Sequence, residues 1–515
     1  MKRAEMRAVP FALAAIVAVA ALVRAWGIGY GLPHLYHPDE NVYVEIAQRM
    51  FKTGDWNPHF FNYPSLFLYL NALAYYPYYA VQWLAGVFGS PADIPGPQML
   101  VMGVGQTPDA GTFLLGRFLT VALGTGAVIL TYIAGKRLLD NTMPALMAAC
   151  LLAVSSTAVI NSRFITPDTF LLFFVILAFL GATLVYKEGT WRHYALAGVG
   201  IGLAASTKYN GALIVLALVA AHFLRAGITG WKDKRLYGSL ALAGVAFFAA
   251  SPFALLDFPA FLADMRTESE HYLSGHMGMD GNTLYWYWIY LWSTEGIIVV
   301  LGALEAIRGL IVRSRPLMLL SVFPLAYFIF INGFTVRNDR TLLPVLPFVF
   351  LLGASLLVQC WRWASKRTGP VRPAGMAAVA VAAVSLLFPA TQMVINSNLR
   401  QEGVRSREEA SAWVSANINV GAHVALEPYG PYVDPGRYAV QPFGALIDRD
   451  ADWYKAQGFD YLIFSSGRYE RYFHEANRYP GEVGRYNSLF DAFSLVKEFP
   501  DERYEIRIYS VVPIP

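Results

Sequence analysis

Two adjacent carboxylates, Asp39 and Glu40, follow an apolar run long enough to cross a membrane, in the segment His37-Pro38-Asp39-Glu40. A third, Asp168, closes the segment Ser162-Arg163-Phe164-Ile165-Thr166-Pro167-Asp168. Such carboxylates can take a proton from an attacking hydroxyl or hold a cation. Cations recur in similar settings: Arg117 in LLGRFLTV, Lys208 in Lys208-Tyr209-Asn210, and Arg337 and Arg340 on either side of Asp339. Lys208, Arg337 and Arg340 can hold a phosphate, arginine through a planar fork matched to its oxygens. Tyr36, Trp56, Phe60, Phe61 and Tyr63 offer aromatic faces to a sugar ring or a lipid chain. The combination suits a reaction at a membrane surface with a lipid phosphate as leaving group. Each residue also has a plainer reading: Pro38-Asp39 suits a helix N-cap, and a lone basic residue suits an interfacial anchor or structural ion pair. Five such segments converging on one face weaken that reading jointly, because each burial cost needs its own compensation.

The elements that position these groups are transmembrane helices. The chain has 515 residues, 56% hydrophobic and only 15% charged, with a mean hydropathy of +0.41. Soluble domains carry roughly 25% charged residues. The net charge of +4 is small and its basic residues sit in short loops, which reports membrane orientation and not nucleic-acid binding. Membrane-length runs occur near 9–28, 112–136, 143–160, 166–186, 193–207, 209–225, 236–256, 286–311, 315–333, 341–363 and 373–395. Lys2, Arg3 and Arg7 place the N-terminus in the cytoplasm. With eleven spans, the basic loops at Lys136-Arg137, Lys187 with Arg192, Arg225–Arg235, Arg308–Arg315 and Arg362–Arg372 all fall on that side. The segments around Asp39, Asp168, 253–285 and 334–340, with the C-terminal tail, then fall outside. Counting the apolar stretch 64–88 as a span would invert this pattern. Its tyrosines, with Pro64 and Pro77, suit a helix lying along the surface. Residues 31–110 therefore read as one large outer loop with juxtamembrane helices. The first run reads as an anchor and not a cleaved signal. Cys150 and Cys360 fall within apolar runs and read as buried small hydrophobes.

Near residue 396 the composition changes, dividing the chain into a membrane unit, 1–396, and an extracytoplasmic unit, 397–515. Residues 406–417 read as an amphipathic helix, with further helices near 449–457 and 468–478. Strand-like runs lie at 422–427, 460–465, 494–498 and 503–512. This predicts a small α/β domain without a phosphate loop, metal spacing or nucleophile elbow, suited to recognition or packing over the membrane site.

Several motifs, in order over about residues 10–365, resemble one family. They are Asp39-Glu40, Asn62-Tyr63-Pro64-Ser65-Leu66, GRFLTVALGTGAVILTYIAGKRL with Arg117, SRFITPDTFLLFF, GLAASTKYNG and RNDRTLLPVLPF. The chain resembles the GT-C membrane glycosyltransferases that use lipid carriers, the superfamily of protein O-mannosyltransferases and aminoarabinose transferases. The resemblance implies a GT-C fold and a polyprenyl-phosphate sugar donor. It implies inverting transfer outside the cytoplasm to an acceptor hydroxyl on a protein, lipid or glycan. It makes Asp39 the catalytic carboxylate, with Glu40 and Asp168 in support. Arg117, Arg163, Lys208, Tyr209, Arg337, Arg340, Tyr63 and His59 are the candidate substrate contacts. The aminoarabinose transferases carry Glu-Lys where this chain has Asn62-Tyr63, and 253–285 is too short for the lumenal insertion of eukaryotic O-mannosyltransferases, so neither acceptor carries over. No cofactor is required by these motifs. A divalent metal could sit on the acidic residues, but His34, His37 and His59 lack a metal-ligand spacing. The alternative is a transporter or flippase for a lipid-linked sugar, which would share the break at 193–225 but should carry charges near the midplane and an internal repeat.

Overall fold

The computed structural model describes residues 3–512 apart from 280, 401, 402 and 502, so Lys2 lies outside the described residues. Among the described residues, five helical stretches are long and apolar enough to cross a membrane: Ala8–Ala25, Ala110–Leu139, Pro167–Lys187, Tyr209–Ala226 and Asp339–Ser365. Shorter apolar helices are Thr142–Val154, Arg315–Ile331 and Val371–Ser385. Lipid is as apolar as leucine, so helices in it associate through close backbone approach at small residues. A Cβ on Gly181 would strike the Ala197 backbone, and one on Gly200 would strike that of Ala178. Helices Pro167–Lys187 and Trp191–Thr207 thus meet through reciprocal small residues.

Several runs that hydropathy predicts as single spans are divided between two helices. The run 143–160 breaks into Thr142–Val154 and Ser156–Asn161 at Ser155. Its hydroxyl, with that of Thr157, donates to Glu295 (2.8 and 2.9 Å), so a buried carboxylate is satisfied where the helix is interrupted. The run 286–311 breaks at Gly296, whose φ of +69° ends helix Thr283–Glu295 before Ile298–Ile311. The run 373–395 divides into Val371–Ser385 and Leu387–Arg400. The break expected near 208 is present, with Lys208 extended between helix Trp191–Thr207 and a tight turn at Tyr209–Ile214. Cys150 is half-buried, but Cys360 is exposed on helix Leu346–Ser365, contrary to expectation.

Residues 31–110, the expected outer loop, contain helices Glu40–Thr53 and Leu66–Leu84. The second, the expected surface helix, buries Phe67, Leu68, Tyr75 and Tyr79 and exposes Leu73, Tyr76, Val81 and Leu84. A hairpin follows, β1 (Gln98–Val101) and β2 (Val104–Gln106). The tail forms a five-stranded sheet from β3 (His423–Leu426), β4 (Ala439–Pro442), β5 (Tyr461–Ser465), β6 (Ser494–Phe499) and β7 (Ile506–Ser510), in the order β4-β3-β5-β7-β6. The β4-β3-β5 side is parallel and the β5-β7-β6 side antiparallel. Helices Arg405–Asn417, Ala451–Ala456 and Ser466–His474 lie close to the expected positions, whereas β4 and helix Pro480–Ala492 were not anticipated.

The tail is tied to the outer loop by Arg407, which is fully buried. Its guanidinium lies between the rings of Tyr36 (4.1 Å to the centroid) and Tyr504 (4.5 Å). It also donates to the Tyr36 carbonyl and the Tyr30 hydroxyl, both at 3.3 Å. Arg407→Lys keeps the charge but loses the planar stack and is expected to weaken this junction by about 2 kcal/mol, the scale of a desolvated cation–π contact. Limited proteolysis near residue 404 checks this, and cleavage no faster than in the parent chain would contradict it.

Candidate active site

Asp39 occupies the N-cap position of helix Glu40–Thr53 but makes no capping hydrogen bond. Its carboxylate accepts instead from Arg340 Nη1 at 2.7 Å. Arg340 Nε lies 3.6 Å from Asp168 Oδ2, and Asp168 Oδ1 accepts from Lys208 Nζ at 2.9 Å. A continuous chain of alternating charge, Asp39–Arg340–Asp168–Lys208, thus joins four segments that are far apart in sequence. Asp168 is 1% exposed, while the Asp39 side chain is 33% exposed, so Asp39 is the carboxylate open to a ligand. Burial pushes the Asp39 carboxyl up, but Arg340, with His37 and Lys208, holds it below its ordinary value. Asp39 is therefore ionised at neutral pH. Burial pushes His37 down, which makes it a neutral ring at pH 7; its Nδ1 lies 3.3 Å from the Asp39 N–H and can accept from it.

Glu40 serves differently. Both of its oxygens accept from Arg117, at 2.9 and 2.7 Å, and one also accepts the Ile165 N–H at 2.8 Å. Arg117 spends its other donors on the carbonyls of Ile28 (2.8 Å) and Tyr30 (2.9 Å). The two side chains are 2% and 1% exposed. Arg117, expected as a substrate contact, is a buried strut between Glu40 and these two carbonyls. Glu40 positions the loop beside Asp39.

Lys208 opens onto a cavity of about 160 Å³ lined also by Tyr63, Tyr209 and Glu268, with Phe330 and Phe334 forming an apolar side. The ammonium lies 5.3 Å from the Tyr63 ring centroid. Two buried polar atoms lining this cavity, Asn210 Oδ1 and the Tyr287 hydroxyl, have no partner among the described residues. Tyr209 donates to the Phe61 carbonyl at 2.8 Å.

The remaining candidates lie apart from the acidic chain. Arg337 is buried and donates to the Gly281 carbonyl at 3.1 Å. His59 is half exposed and 2.7 Å from Asp55. Arg163 donates to the Val23 carbonyl at 3.1 Å and lines a second cavity. Among the described residues no three His, Cys, Asp or Glu side chains form a cluster able to hold a metal, and Arg340 occupies the position between the two aspartates. The acidic pair does not fit a divalent ion in this arrangement, since both Glu40 oxygens are taken by Arg117.

One functional element escaped the sequence. Helix Phe258–Ser274 and the preceding Asp257 clasp the segment 57–62 through three carboxylates. Asp257 accepts from the Asn57 amide (2.8 Å), Asp264 from the Phe61 N–H (2.8 Å) and Glu268 from the Asn62 amide (2.7 Å). The spacing of Asp257, Asp264 and Glu268 on one helical face was the available signal.

Comparison with known proteins places this geometry. Residues 14–267 match the family model described as dolichyl-phosphate-mannose-protein mannosyltransferase. The chain is 26% identical over 366 residues to an undecaprenyl phosphate-alpha-4-amino-4-deoxy-L-arabinose arabinosyl transferase of Pseudomonas fluorescens, covering 66% of this chain and 60% of that protein. It is 27% identical over 209 residues to dolichyl-phosphate-mannose–protein mannosyltransferase 1 of Saccharomyces cerevisiae, covering 34% of this chain and 25% of that protein. It thus spans about 60% of the length of the first of these relatives and a quarter of the second. In fold it is similar to the crystal structure of ArnT from Cupriavidus metallidurans bound to undecaprenyl phosphate, with a TM-score of 0.55 and 16% identity, covering 97% of this chain and 98% of that one. An oligosaccharyltransferase of Archaeoglobus fulgidus gives a TM-score of 0.54 at 13% identity, covering 94% of this chain and 73% of that one. Over residues 14–267 the chain is thus similar to that mannosyltransferase family, and its fold is similar to that of ArnT.

Proposed function

We propose that the protein transfers a sugar, with inversion, from a polyprenyl-phosphate carrier to an acceptor hydroxyl at the outer face of the membrane. The observation that carries this is the ionic chain from the partly exposed Asp39 to Lys208 in the lining of a largely apolar cavity. In a single displacement the acceptor oxygen attacks the anomeric carbon while the bond from that carbon to the phosphate oxygen breaks. The bond's electron pair leaves with the polyprenyl phosphate, and Asp39 takes the acceptor's proton. No covalent sugar–protein intermediate is needed, because cations that neutralise the phosphate make it a good leaving group. Lys208 and Arg340 are placed to do this, since each has N–H donors beyond those used on Asp168 and Asp39. The unpartnered Asn210 Oδ1 and Tyr287 hydroxyl suit sugar hydroxyls. The basic cytoplasmic loops and the large first loop support an outward-facing site and an outward tail, with the division near residue 396. The helix break at Lys208, which a transporter would share, here seats an ammonium against Asp168, and the relatives are named as transferases.

Asp39→Asn preserves shape and removes the base, so transfer should slow by roughly 10²–10⁴-fold with donor binding retained. A folded, donor-binding Asp39→Asn protein that transfers at the parent rate would disprove the assignment. Because the folded carboxyl is held below its ordinary value, kcat/KM should lose its acid limb only below about pH 4, and stay flat above it. Arg340→Gln removes the opposing cation and leaves the burial, so the Asp39 carboxyl rises and the acid limb should move up towards neutrality. An unmoved limb in a pH–rate profile would separate Asp39 from the titrating base. Lys208→Gln should weaken binding of the polyprenyl phosphate by about ten- to a hundredfold, the scale of a charge-assisted hydrogen bond. A direct binding titration with the sugar-free carrier measures this, and unchanged affinity would move the phosphate away from Lys208.

A further inference from the structure

A second cavity of about 440 Å³ lies at the seam between the first membrane helix and the C-terminal unit. Its lining includes Trp26, Tyr30, Arg163, Phe164, Glu408 and Arg503. Arg163 is 5% exposed, and of its five N–H donors only one, to the Val23 carbonyl, finds a partner. Its Nε–H is buried with none. Burial alone pushes this guanidinium down to about 10. A second fully buried arginine, Arg24, is within electrostatic reach of Arg163, is held only by carbonyls, and also has an unpartnered Nε–H. Among the described residues neither arginine makes an ion pair. The carboxylate in the lining, Glu408, is 2.7 Å from His34, and Asp339, within reach of Arg503, accepts from Asn161 and Tyr290.

Two desolvated guanidinium groups without a counter-charge are costly, and an anion with several acceptor oxygens removes that cost. We propose that this seam cavity is a second phosphate-binding site, distinct from the cavity at Lys208, in which Arg163 and Arg503 hold the phosphate of a lipid headgroup or of a soluble phosphate ester. The rings of Trp26, Tyr30 and Phe164 supply the apolar wall that the organic part of either ligand needs. The site is not isolated from the acidic chain. Phe164 lies against His37, with ring centroids 4.5 Å apart, and His37 contacts the Asp39 N–H.

The test uses the full-length protein and does not measure sugar transfer, so it stands or falls separately from the transferase reading. Native mass spectrometry of protein exposed to equal amounts of phosphatidylglycerol and phosphatidylcholine should show selective retention of the anionic lipid. Arg163→Gln and Arg503→Gln should each reduce that retention by about tenfold. Arg503→Lys, which keeps charge without the planar fork, should recover part of it. Arg503 is exposed in the C-terminal unit, so its variants remain informative if Arg163→Gln fails to fold. Competition by glycerol 3-phosphate would extend the site to soluble esters, and its failure to compete would assign the site to membrane headgroups. Equal retention of the two lipids by the parent protein, with no binding of glycerol 3-phosphate, would overturn the proposal. So would parent-like retention in both glutamine variants.

Discussion

The buried pair of Glu40 and Arg117 is the constraint on which the site depends. Through it the start of helix Glu40–Thr53, the end of the first membrane helix, helix Ala110–Leu139 and the backbone at Ile165 meet at one node. Two charges taken out of water are tolerable only when geometry is good and spare lone pairs and donors are met. Here they are met by two carbonyls and an amide. Removing one partner from such a pair typically costs about 3–5 kcal/mol, so the node resists distortion. Asp39 is the residue before Glu40, and its position is set by that rigidity and not by a cap of its own.

The neighbouring chain Asp39–Arg340–Asp168–Lys208 is balanced, two negative charges against two positive. In the proposed reaction an arriving phosphate would upset that balance and compete with Asp39 and Asp168 for the same two cations. Any shift of Arg340 towards the phosphate would leave Asp39 with less opposing charge and a stronger pull on a proton. On that proposal, binding of the leaving group and activation of the base would be linked through one guanidinium.

The ionisable members of the site were legible because charge is conspicuous in an apolar sequence. Asp39, Asp168, Lys208 and Arg340 stand out against their neighbours, and the structure brings these four together. Their partners were not legible. Nothing in the sequence says that Arg117 spends itself on Glu40, or that Arg163 turns to a different cavity, since those pairings are settled by tertiary packing. The clasp from Asp257, Asp264 and Glu268 was missed because acidic residues on an amphipathic helix ordinarily face water. Hydropathy averaged across Ser155 and Gly296, where one buried hydroxyl and one left-handed glycine break what composition makes continuous. In the tail, β4 is four residues ending in proline, and helix Pro480–Ala492 carries two glycines, so local propensity argued against both.

The hairpin β1–β2 gives the outer loop a share in the tail's interior. Val104 is fully buried in the same cluster as Val424, Ile463 and Ile508, and the Tyr429 N–H donates to the Met102 carbonyl at 3.0 Å. On the other side, the Leu35 N–H donates to the Gly105 carbonyl at 2.8 Å, four residues ahead of Asp39 in sequence. During synthesis the ribosome must add about 400 residues after Val104 before Ile508 exists, which takes roughly 20–80 s at ordinary elongation rates. The loop bearing the acidic pair is among the first parts of the chain to emerge and among the last to acquire its final packing. A nascent or truncated chain can thus thread its helices into the bilayer while the loop that carries Asp39 and Glu40 still lacks its packing against the last strands of the tail.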